Sequence, residues 1–180
     1  MKPTVNLEIE RKYIIKMPPL DLICCQPEHT ESSILQIYLT HEAGETHRIR
    51  RRQYADKIVC TETRKIRLDT LAATEIESQI SESAFDILAK SPLEGTTPIE
   101  KTRHTFLYEG RTFEIDIYPA WKNTAVMEVE LPSRETEVMM PDFIEIISDV
   151  TADRKYKNFA MSMSFPNEDA IFGKTEKDQH

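Results

Sequence analysis

Polar and apolar residues alternate along most of this chain, and the alternation predicts a protein built mainly from β-strands. In the segment LEIERKYII, residues 7–15, the charged residues Glu8, Glu10 and Lys12 fall between apolar neighbours. Successive side chains of a strand point to opposite faces, so these three charges share one face. The other face is apolar and carries Leu7, Ile9 and Tyr13.

Seven further strands follow from the same pattern. Two of them lie within residues 34–54, on either side of a turn at Ala43-Gly44. A second turn, at Glu109-Gly110, joins two later strands as a hairpin. Beyond residue 54, the predicted strands cover 57–66, 74–80, 98–108, 111–118 and 125–131.

Helical patterns are few. Residues 19–25 (PLDLICC) predict one or two turns, and residues 81–90 predict a helix capped by Ser81. Residues 141–150 open with proline and aspartate and carry an apolar stripe, which also predicts a helix. The segment 166–180 is polar and predicts a loose tail. The chain is thus predicted to form one β-rich α+β domain over residues 1–165, followed by that tail.

Composition narrows the functional classes. The 180 residues are 39% hydrophobic and 30% charged, which is typical of one soluble globular domain. A net charge of −8 argues against a general nucleic-acid binder, and no apolar run could cross a bilayer. The four glycines form no phosphate-binding loop. The three cysteines predict reduced thiols in a cytoplasmic protein, and no Cys or His spacing indicates zinc.

Like charges recur in pairs, two residues apart, on six of the predicted strands. Such pairs repel unless an opposite charge lies between them. Either the charged faces look outward and pair across strands, or the strands close into a barrel with a charged interior. The pattern alone leaves both interpretations open. The acidic pairs are Glu8/Glu10, Glu75/Glu77, Glu114/Asp116 and Glu128/Glu130, and the basic pairs are Arg48/Arg50 and Lys101/Arg103.

The ExExK pattern of Glu8, Glu10 and Lys12 resembles the signature of the CYTH superfamily, the triphosphate tunnel metalloenzymes. The resemblance covers residues 3–165 and is closest to the bacterial and plant-type tripolyphosphatase branch. It implies an eight-stranded antiparallel β-barrel that forms a tunnel, with helices packed outside and charged side chains inside. The blocks that carry it, in family order, are QIYL (36–39), RIRRR (48–52), TEIESQIS (74–81), IEKTRHTF (99–106), FEIDIYPAW (113–121), MEVEL (127–131) and VTADRKYKNFAMS (150–162).

The same resemblance implies hydrolysis of inorganic triphosphate with Mg²⁺ or Mn²⁺, by a monomer or homodimer. An organic triphosphate is the other substrate that it allows. Catalytic roles are implied for Lys12, Glu114 and Asp116. The implied metal ligands are Glu8, Glu10, Glu128 and Glu130, with Glu75 and Glu77 for a second metal or for orienting water. The implied substrate-binding residues are Lys12, Arg48, Arg50, Lys65, Lys101, Arg103 and Arg154, and Lys157 is a further candidate at the tunnel mouth.

Other interpretations stay open. Glu114 and Asp116 could be structural partners of the basic pair on the preceding strand. Relatives have basic residues at the positions of Thr63 and Ala73, and their absence favours slow turnover or a different substrate. The alternatives are a class IV adenylyl cyclase, a nucleoside or thiamine triphosphate phosphohydrolase, or a non-catalytic triphosphate- or polyphosphate-binding module. The residues expected to face solvent are Arg11, Arg51 and Arg52.

Overall fold

A computed structural model describes residues 4–69 and 72–172, and within these ranges the chain forms nine strands and four helices. The strands are β1 (Thr4–Lys16), β2 (Thr30–Leu39), β3 (Glu45–Gln53), β4 (Ile58–Arg67), β5 (Ala72–Ile80), β6 (Ile99–Tyr108), β7 (Arg111–Ile117), β8 (Thr124–Glu130) and β9 (Ile146–Asp149). The helices are α1 (Leu20–Cys24), α2 (Glu82–Leu88), α3 (Asn158–Met163) and α4 (Asp169–Phe172), and a 3₁₀ turn spans Arg154–Tyr156.

Strands β1 to β8 close into an antiparallel barrel, which confirms the predicted fold. The strand order is β5-β4-β3-β2-β6-β7-β8-β1, and β5 pairs with β1 to complete the circle. Strand β1 is long enough to serve two neighbours. Its residues 4–9 pair with β5, and its residues 10–16 pair with β8. The eight strands therefore form a closed circle, although the edge of β1 that faces β5 has no β5 partner beyond Ile9.

Residues 141–150 do not form the helix that their sequence predicts. Residues 146–149 form β9, which pairs with β1 at residues 13–15. This stretch of β1 lies beyond its pairing with β5, so its backbone groups need other partners. The backbone N–H of Lys16 also donates to the carbonyl of Glu145 at 2.9 Å. Pairing with an open strand edge thus outweighs the local helical pattern.

The outer face of the barrel carries two apolar clusters beneath the first two helices. Ile23 of α1 packs with Tyr13, Phe106 and Phe113, all of them buried. Helix α2 begins as predicted, with the Ser81 hydroxyl accepting from the N–H of Ala84 at 3.1 Å. Its Phe85 packs on Ile37, Ile49 and Cys60. Leu7, predicted to pack outward, is 63% exposed, so the packed part of β1 begins after it.

One end of the barrel interior is filled with apolar side chains. The inward positions of several strands change there from charged to apolar, and helices α3 and α4 close over them. The charged part of the interior is therefore confined to the other end. The buried cluster contains Ile14, Tyr38, Ile99, Tyr118, Trp121, Val126, Val150, Tyr156, Met161 and Ile171.

The contacts of the C-terminal segment extend past residue 165. The indole N–H of Trp121 donates to the carbonyl of Pro166 at 2.9 Å, and the hydroxyl of Thr124 donates to Glu168 Oε1 at 2.9 Å. Ile171 is buried. The prediction of a loose tail is thus wrong for residues 166–172, and its remainder, 173–180, lies outside the described residues. No helix in the described ranges has both the length and the apolar character needed to span a bilayer.

Candidate active site

The charged interior encloses a cavity of about 840 Å³. Basic side chains outnumber acidic ones in its lining, although the whole chain carries a net charge of −8. Strand order sorts these charges into two arcs. The basic arc runs along β4, β3 and β6, with the uncharged Gln36 of β2 between β3 and β6. The basic arc consists of Arg48, Arg50, Arg52, Lys65, Arg67, Lys101 and Arg103.

The acidic arc faces the basic one and runs along β7, β8, β1 and β5, which are consecutive neighbours in the barrel. Lys12 of β1 is the one base that these four strands contribute to the described cavity lining. The acidic arc consists of Glu8, Glu10, Glu75, Glu77, Glu114, Glu128 and Glu130. Predicted site residues from seven strands thus meet in one cavity, with Asp116 buried behind it.

Asp116 holds two bases of the opposite arc. Its carboxylate lies 2.5 Å from Nζ of Lys101 and accepts two bonds from Arg103, at 2.6 and 2.7 Å. Burial alone would raise the pKa of Asp116, but Arg103 and Lys101 lower it below its ordinary value. Asp116 is 1% exposed. These contacts are the ones expected if Asp116 is a structural partner of the basic pair.

Lys12 and Arg103 neutralise Glu128. Its carboxylate lies 2.5 Å from Nζ of Lys12 and 2.9 Å from Nη2 of Arg103. Burial would raise the pKa of Glu128, but Lys12 and Arg103 bring it well below its ordinary value. Arg103 also donates to Glu114. Lys12 is 2% exposed and also donates to the carbonyl of Tyr156 at 3.3 Å, so its ammonium is firmly placed.

Lys65 joins β4 to the acidic residues of β1 and β5. Its Nζ lies 2.8 Å from Glu8 and 2.8 Å from Glu75, and Arg48 lies 3.3 Å from the same oxygen of Glu75. Despite burial, Arg48 and Lys65 lower the pKa of Glu75 to about 2. Burial raises the pKa of Glu8 to about 7, because Lys65 alone does not offset it. Lys65 thus occupies the cavity face that the sequence predicts.

Thr63 stands where the family resemblance implies a basic residue. It is fully buried and lies between Arg48 and Glu77 in the strand ladder. Its hydroxyl donates to Glu77 Oε2 at 2.9 Å, and Arg50 reaches the same oxygen at 3.1 Å. Because threonine is short, Arg48 and Arg50 of β3 can reach across β4 to Glu75 and Glu77 of β5. Ala73, the other such position, is buried opposite Glu8.

Glu10 and Glu130 are the least neutralised carboxylates of the acidic arc. They lie directly opposite each other across the β1–β8 ladder. Within 4.0 Å, Glu10 has one described basic neighbour, Nζ of Lys157 at 3.7 Å, and Glu130 has none. Burial raises the pKa of Glu130, and Glu114 and Glu10 raise it further. Two facing carboxylates with so little basic compensation fit a hard divalent cation such as Mg²⁺ or Mn²⁺.

Lys157, just before α3, also faces the cavity. Its Nζ is buried and has no hydrogen-bond partner among the described residues. Burial and the nearby Lys12 lower the pKa of Lys157 to about 8. A buried ammonium without a hydrogen bond is costly, and Glu10 at 3.7 Å lies beyond hydrogen-bond distance, so this group fits an anionic ligand. Arg154, from the 3₁₀ turn, also lines the cavity but is exposed.

The prediction that Arg52 faces solvent is wrong. Arg52 shares the alternation of Arg48 and Arg50, lines the cavity and lies 3.8 Å from Glu114. Arg51 points the other way, and its guanidinium lies 4.4 Å from the ring centroid of Phe85. Arg52 could have been predicted from the sequence, because it lies two residues after Arg50 on the same face of β3. Gln36, Thr46 and Arg67 are further lining residues that sequence reasoning did not assign.

The closed barrel encloses a cavity with a basic side and an acidic side. This arrangement defines a class of proteins that can bind a polyanion on the basic side and a cation on the acidic side. The chain is 29% identical over 164 residues to an inorganic triphosphatase from Nitrosomonas europaea, an alignment that covers 88% of this chain and 99% of the relative. A crystal structure of an inorganic triphosphatase matches with a TM-score of 0.57 at 28% identity, covering 89% of this chain and 97% of the other.

A protein from Pyrococcus horikoshii shares the fold, with a TM-score of 0.55 at 20% identity over 71% of this chain and 80% of the other. No family model matches the chain. The resemblance to the CYTH superfamily, first drawn from the sequence motifs, is confirmed by the similarity to the Nitrosomonas europaea protein and by the barrel.

Proposed function

We propose that this chain is a divalent-metal-dependent hydrolase that splits inorganic triphosphate into pyrophosphate and phosphate inside the barrel. The observation that carries the proposal is the division of the cavity into a basic and an acidic arc. A triphosphate can lie along the basic arc while its metal is held by the acidic arc. The relative from Nitrosomonas europaea, an inorganic triphosphatase, supports the same activity.

The basic arc binds the phosphates. Arg48, Arg50 and Arg52 are consecutive inward residues of β3. Each guanidinium group can donate two parallel hydrogen bonds to phosphate oxygens. Lys65 and Lys101 flank them on β4 and β6. Many of these bases are already paired with acids of the barrel, so substrate binding exchanges these ion pairs for phosphate contacts. Lys12, Arg103, Lys157 and Arg154 complete the proposed set.

Glu10 and Glu130 are proposed to hold the metal, with Glu8 and Glu128 as neighbouring carboxylates. When bound, a divalent ion neutralises charge on the phosphate oxygens and lowers the pKa of coordinated water. Glu75 and Glu77 are each tied to an arginine of β3, so we assign them to positioning Arg48 and Arg50. Carboxylate oxygens suit both Mg²⁺ and Mn²⁺, so the proposal covers either ion.

Phosphoryl transfer needs charge neutralisation and a positioned water molecule more than covalent help. Lys12 and Arg103 are fixed by Glu128 and Asp116, so their charges are held in place before substrate arrives. Glu114 lies on the cavity wall and is proposed to orient water. Asp116 is a positioning residue, because it is buried behind Lys101 and Arg103 and contacts both.

The test is release of phosphate from inorganic triphosphate, measured with Mg²⁺, with Mn²⁺ and after chelation, beside ATP as competing substrate. The proposal expects metal-dependent release, pyrophosphate as the second product and preference for triphosphate over ATP. Cyclic AMP from ATP would indicate a cyclase instead. Tight binding of triphosphate without release would indicate a binding module.

The three cysteines are free thiols, which supports the predicted cytoplasmic location.

A further inference from the structure

A second group of ligand atoms converges outside the cavity. Sγ of Cys24, one ring nitrogen of His29 and one of His104 all lie within 4.8 Å of one another, and no other such group of three occurs in residues 4–69 and 72–172. Nε2 of His29 and Nδ1 of His104 are 3.1 Å apart, and the two rings are stacked with centroids 5.4 Å apart. Neither the cavity nor the proposed hydrolysis uses these residues.

Three separate elements bring the group together. Cys24 ends α1, which is anchored by the buried Ile23. His29 precedes β2, and the turn before it is tied to β6 by a 2.9 Å bond from the N–H of Leu107 to the carbonyl of Pro27. His104 lies on β6, on the face opposite to the inward Arg103, and is 3% exposed. The cluster is therefore held by backbone structure on the outer wall of the barrel.

We propose that Cys24, His29 and His104 form a Zn²⁺ site. Thiolate and imidazole are the ligands that zinc prefers, whereas Mg²⁺ and Mn²⁺ prefer carboxylate oxygens. A tetrahedral zinc ion with bonds of about 2.0–2.1 Å to nitrogen holds two nitrogens about 3.3 Å apart, close to the spacing of the two imidazoles. On binding, the thiol proton of Cys24 passes to solvent.

Glu31 completes the proposed site. It pairs with His104 in the β2–β6 ladder, and its Oε2 lies 3.9 Å from Nδ1 of His104. Its side chain is 60% exposed, so it can turn toward a metal without loss of packing. Zinc held by α1, the turn and β6 would fix the connection between α1 and β2 to the barrel wall. Its role is therefore structural and independent of hydrolysis.

The test uses the full chain, stripped of metal and then titrated with Zn²⁺ by calorimetry. Cobalt(II) serves as the spectroscopic probe, because a thiolate ligand gives it a charge-transfer band. Cys24→Ser is compared with Cys25→Ser, since both residues are exposed and adjacent and only Cys24 belongs to the group. The wild type and Cys25→Ser are expected to bind one equivalent at this site, show the thiolate band and melt at a higher temperature with zinc.

Cys24→Ser is expected to lose the band and to bind zinc more than about a hundredfold more weakly, since loss of even an outer-shell partner costs about 10–100-fold. Its metal-free melting temperature and triphosphate hydrolysis should equal those of Cys25→Ser. His29→Ala should weaken zinc binding in the same way. Equal zinc affinities for the two serine variants, or a cobalt complex without a thiolate band, would overturn the proposal.

Discussion

Nζ of Lys157 lies 3.7 Å from Oε1 of Glu10, which links the segment before α3 to the most weakly neutralised part of the acidic arc. The ammonium is buried without a hydrogen-bond partner among the described residues, in a cavity lined by other bases. This relationship places a cation next to a proposed metal ligand. A phosphate group bound here would contact Lys157 and lie beside the proposed metal ligand Glu10.

Replacement of Lys157 by methionine should therefore weaken substrate binding. A buried charge-assisted contact is worth about 2 kcal/mol, so KM for triphosphate is expected to rise about 30-fold. Because burial lowers the pKa of Lys157 to about 8, wild-type affinity should fall as pH rises through 8, and the variant should lack this limb. Lys16→Met is the control, because Lys16 pairs with Glu145 on the surface with half of its side chain exposed. An unchanged KM for Lys157→Met would contradict the assignment.

Arg52 and Arg51 offer a matched pair. Arg52 lines the cavity, whereas Arg51 lies over Phe85 on the outside of the barrel. Arg52→Gln should raise KM by about tenfold or more, because a phosphate contact is lost. Arg51→Gln should leave KM unchanged. Steady-state kinetics with triphosphate decides the matter, and equal effects of the two substitutions would remove Arg52 from the site.

Asp116→Asn tests the positioning role of the buried ion-pair group. Removing one partner of a buried charge pair costs about 3–5 kcal/mol, so the free energy of unfolding in urea should fall by that amount. Asp86→Asn breaks a pair with Arg51 in which the aspartate side chain is 62% exposed, and should cost about 0–1 kcal/mol. A stable Asp116→Asn protein that has lost all turnover would instead indicate direct catalysis by Asp116.

Glu8 is expected to make metal binding sensitive to pH. Burial raises the pKa of Glu8 from 4.5 to about 7 in the folded protein. Between these two pH values, Glu8 is protonated in the folded, metal-free protein but ionised in the unfolded chain. The contribution of Glu8 to stability is therefore fully present below pH 4.5 and is lost as pH rises to 7. Metal must displace this proton below pH 7, so Mn²⁺ affinity measured by calorimetry should increase steeply between pH 6 and pH 7.

The variant Glu8→Gln distinguishes the contribution of Glu8 to the pH dependence of Mn²⁺ affinity from that of the other carboxylates. Its Mn²⁺ affinity should be lower at pH 8 and should change less between pH 6 and 7 than that of the wild type. Glu145→Gln is the control, because Glu145 is 65% exposed in its surface pair with Lys16. The same pH slope in Glu8→Gln and wild type would show that Glu8 does not compete for metal and proton.

Strand alternation predicted the barrel strands because each strand has one face inside and one outside. It could not predict residues 141–150, where Phe143, Ile146 and Ile147 mimic a helical stripe. In the structure, Phe143 and Ile147 pack against different apolar clusters, and the open edge of β1 decides the conformation. The tertiary pairing of β9 with β1 depends on where β5 begins, since Ala72 is the last β5 residue to pair with β1, and no local pattern of residues 141–150 contains that information.

The site was predictable in membership but not in arrangement. The paired charges identified most of the charged lining residues, yet the two arcs depend on strand order, which places β6 beside β2 and β5 beside β1. Arg52 was recoverable from the alternation of β3. The group of Cys24, His29 and His104 was not, because its ligands come from three elements and show no metal-binding spacing along the chain.

The most direct test of the central claim is metal-dependent phosphate release from inorganic triphosphate by Glu10→Gln, with Glu145→Gln as control. Loss of metal neutralisation worth about 3 kcal/mol corresponds to a rate at least about a hundredfold lower. If the acidic arc holds the metal, Glu10→Gln shows that loss and Glu145→Gln keeps wild-type turnover. Wild-type turnover by Glu10→Gln, at the same metal concentration, would contradict the assignment of the metal to the acidic arc.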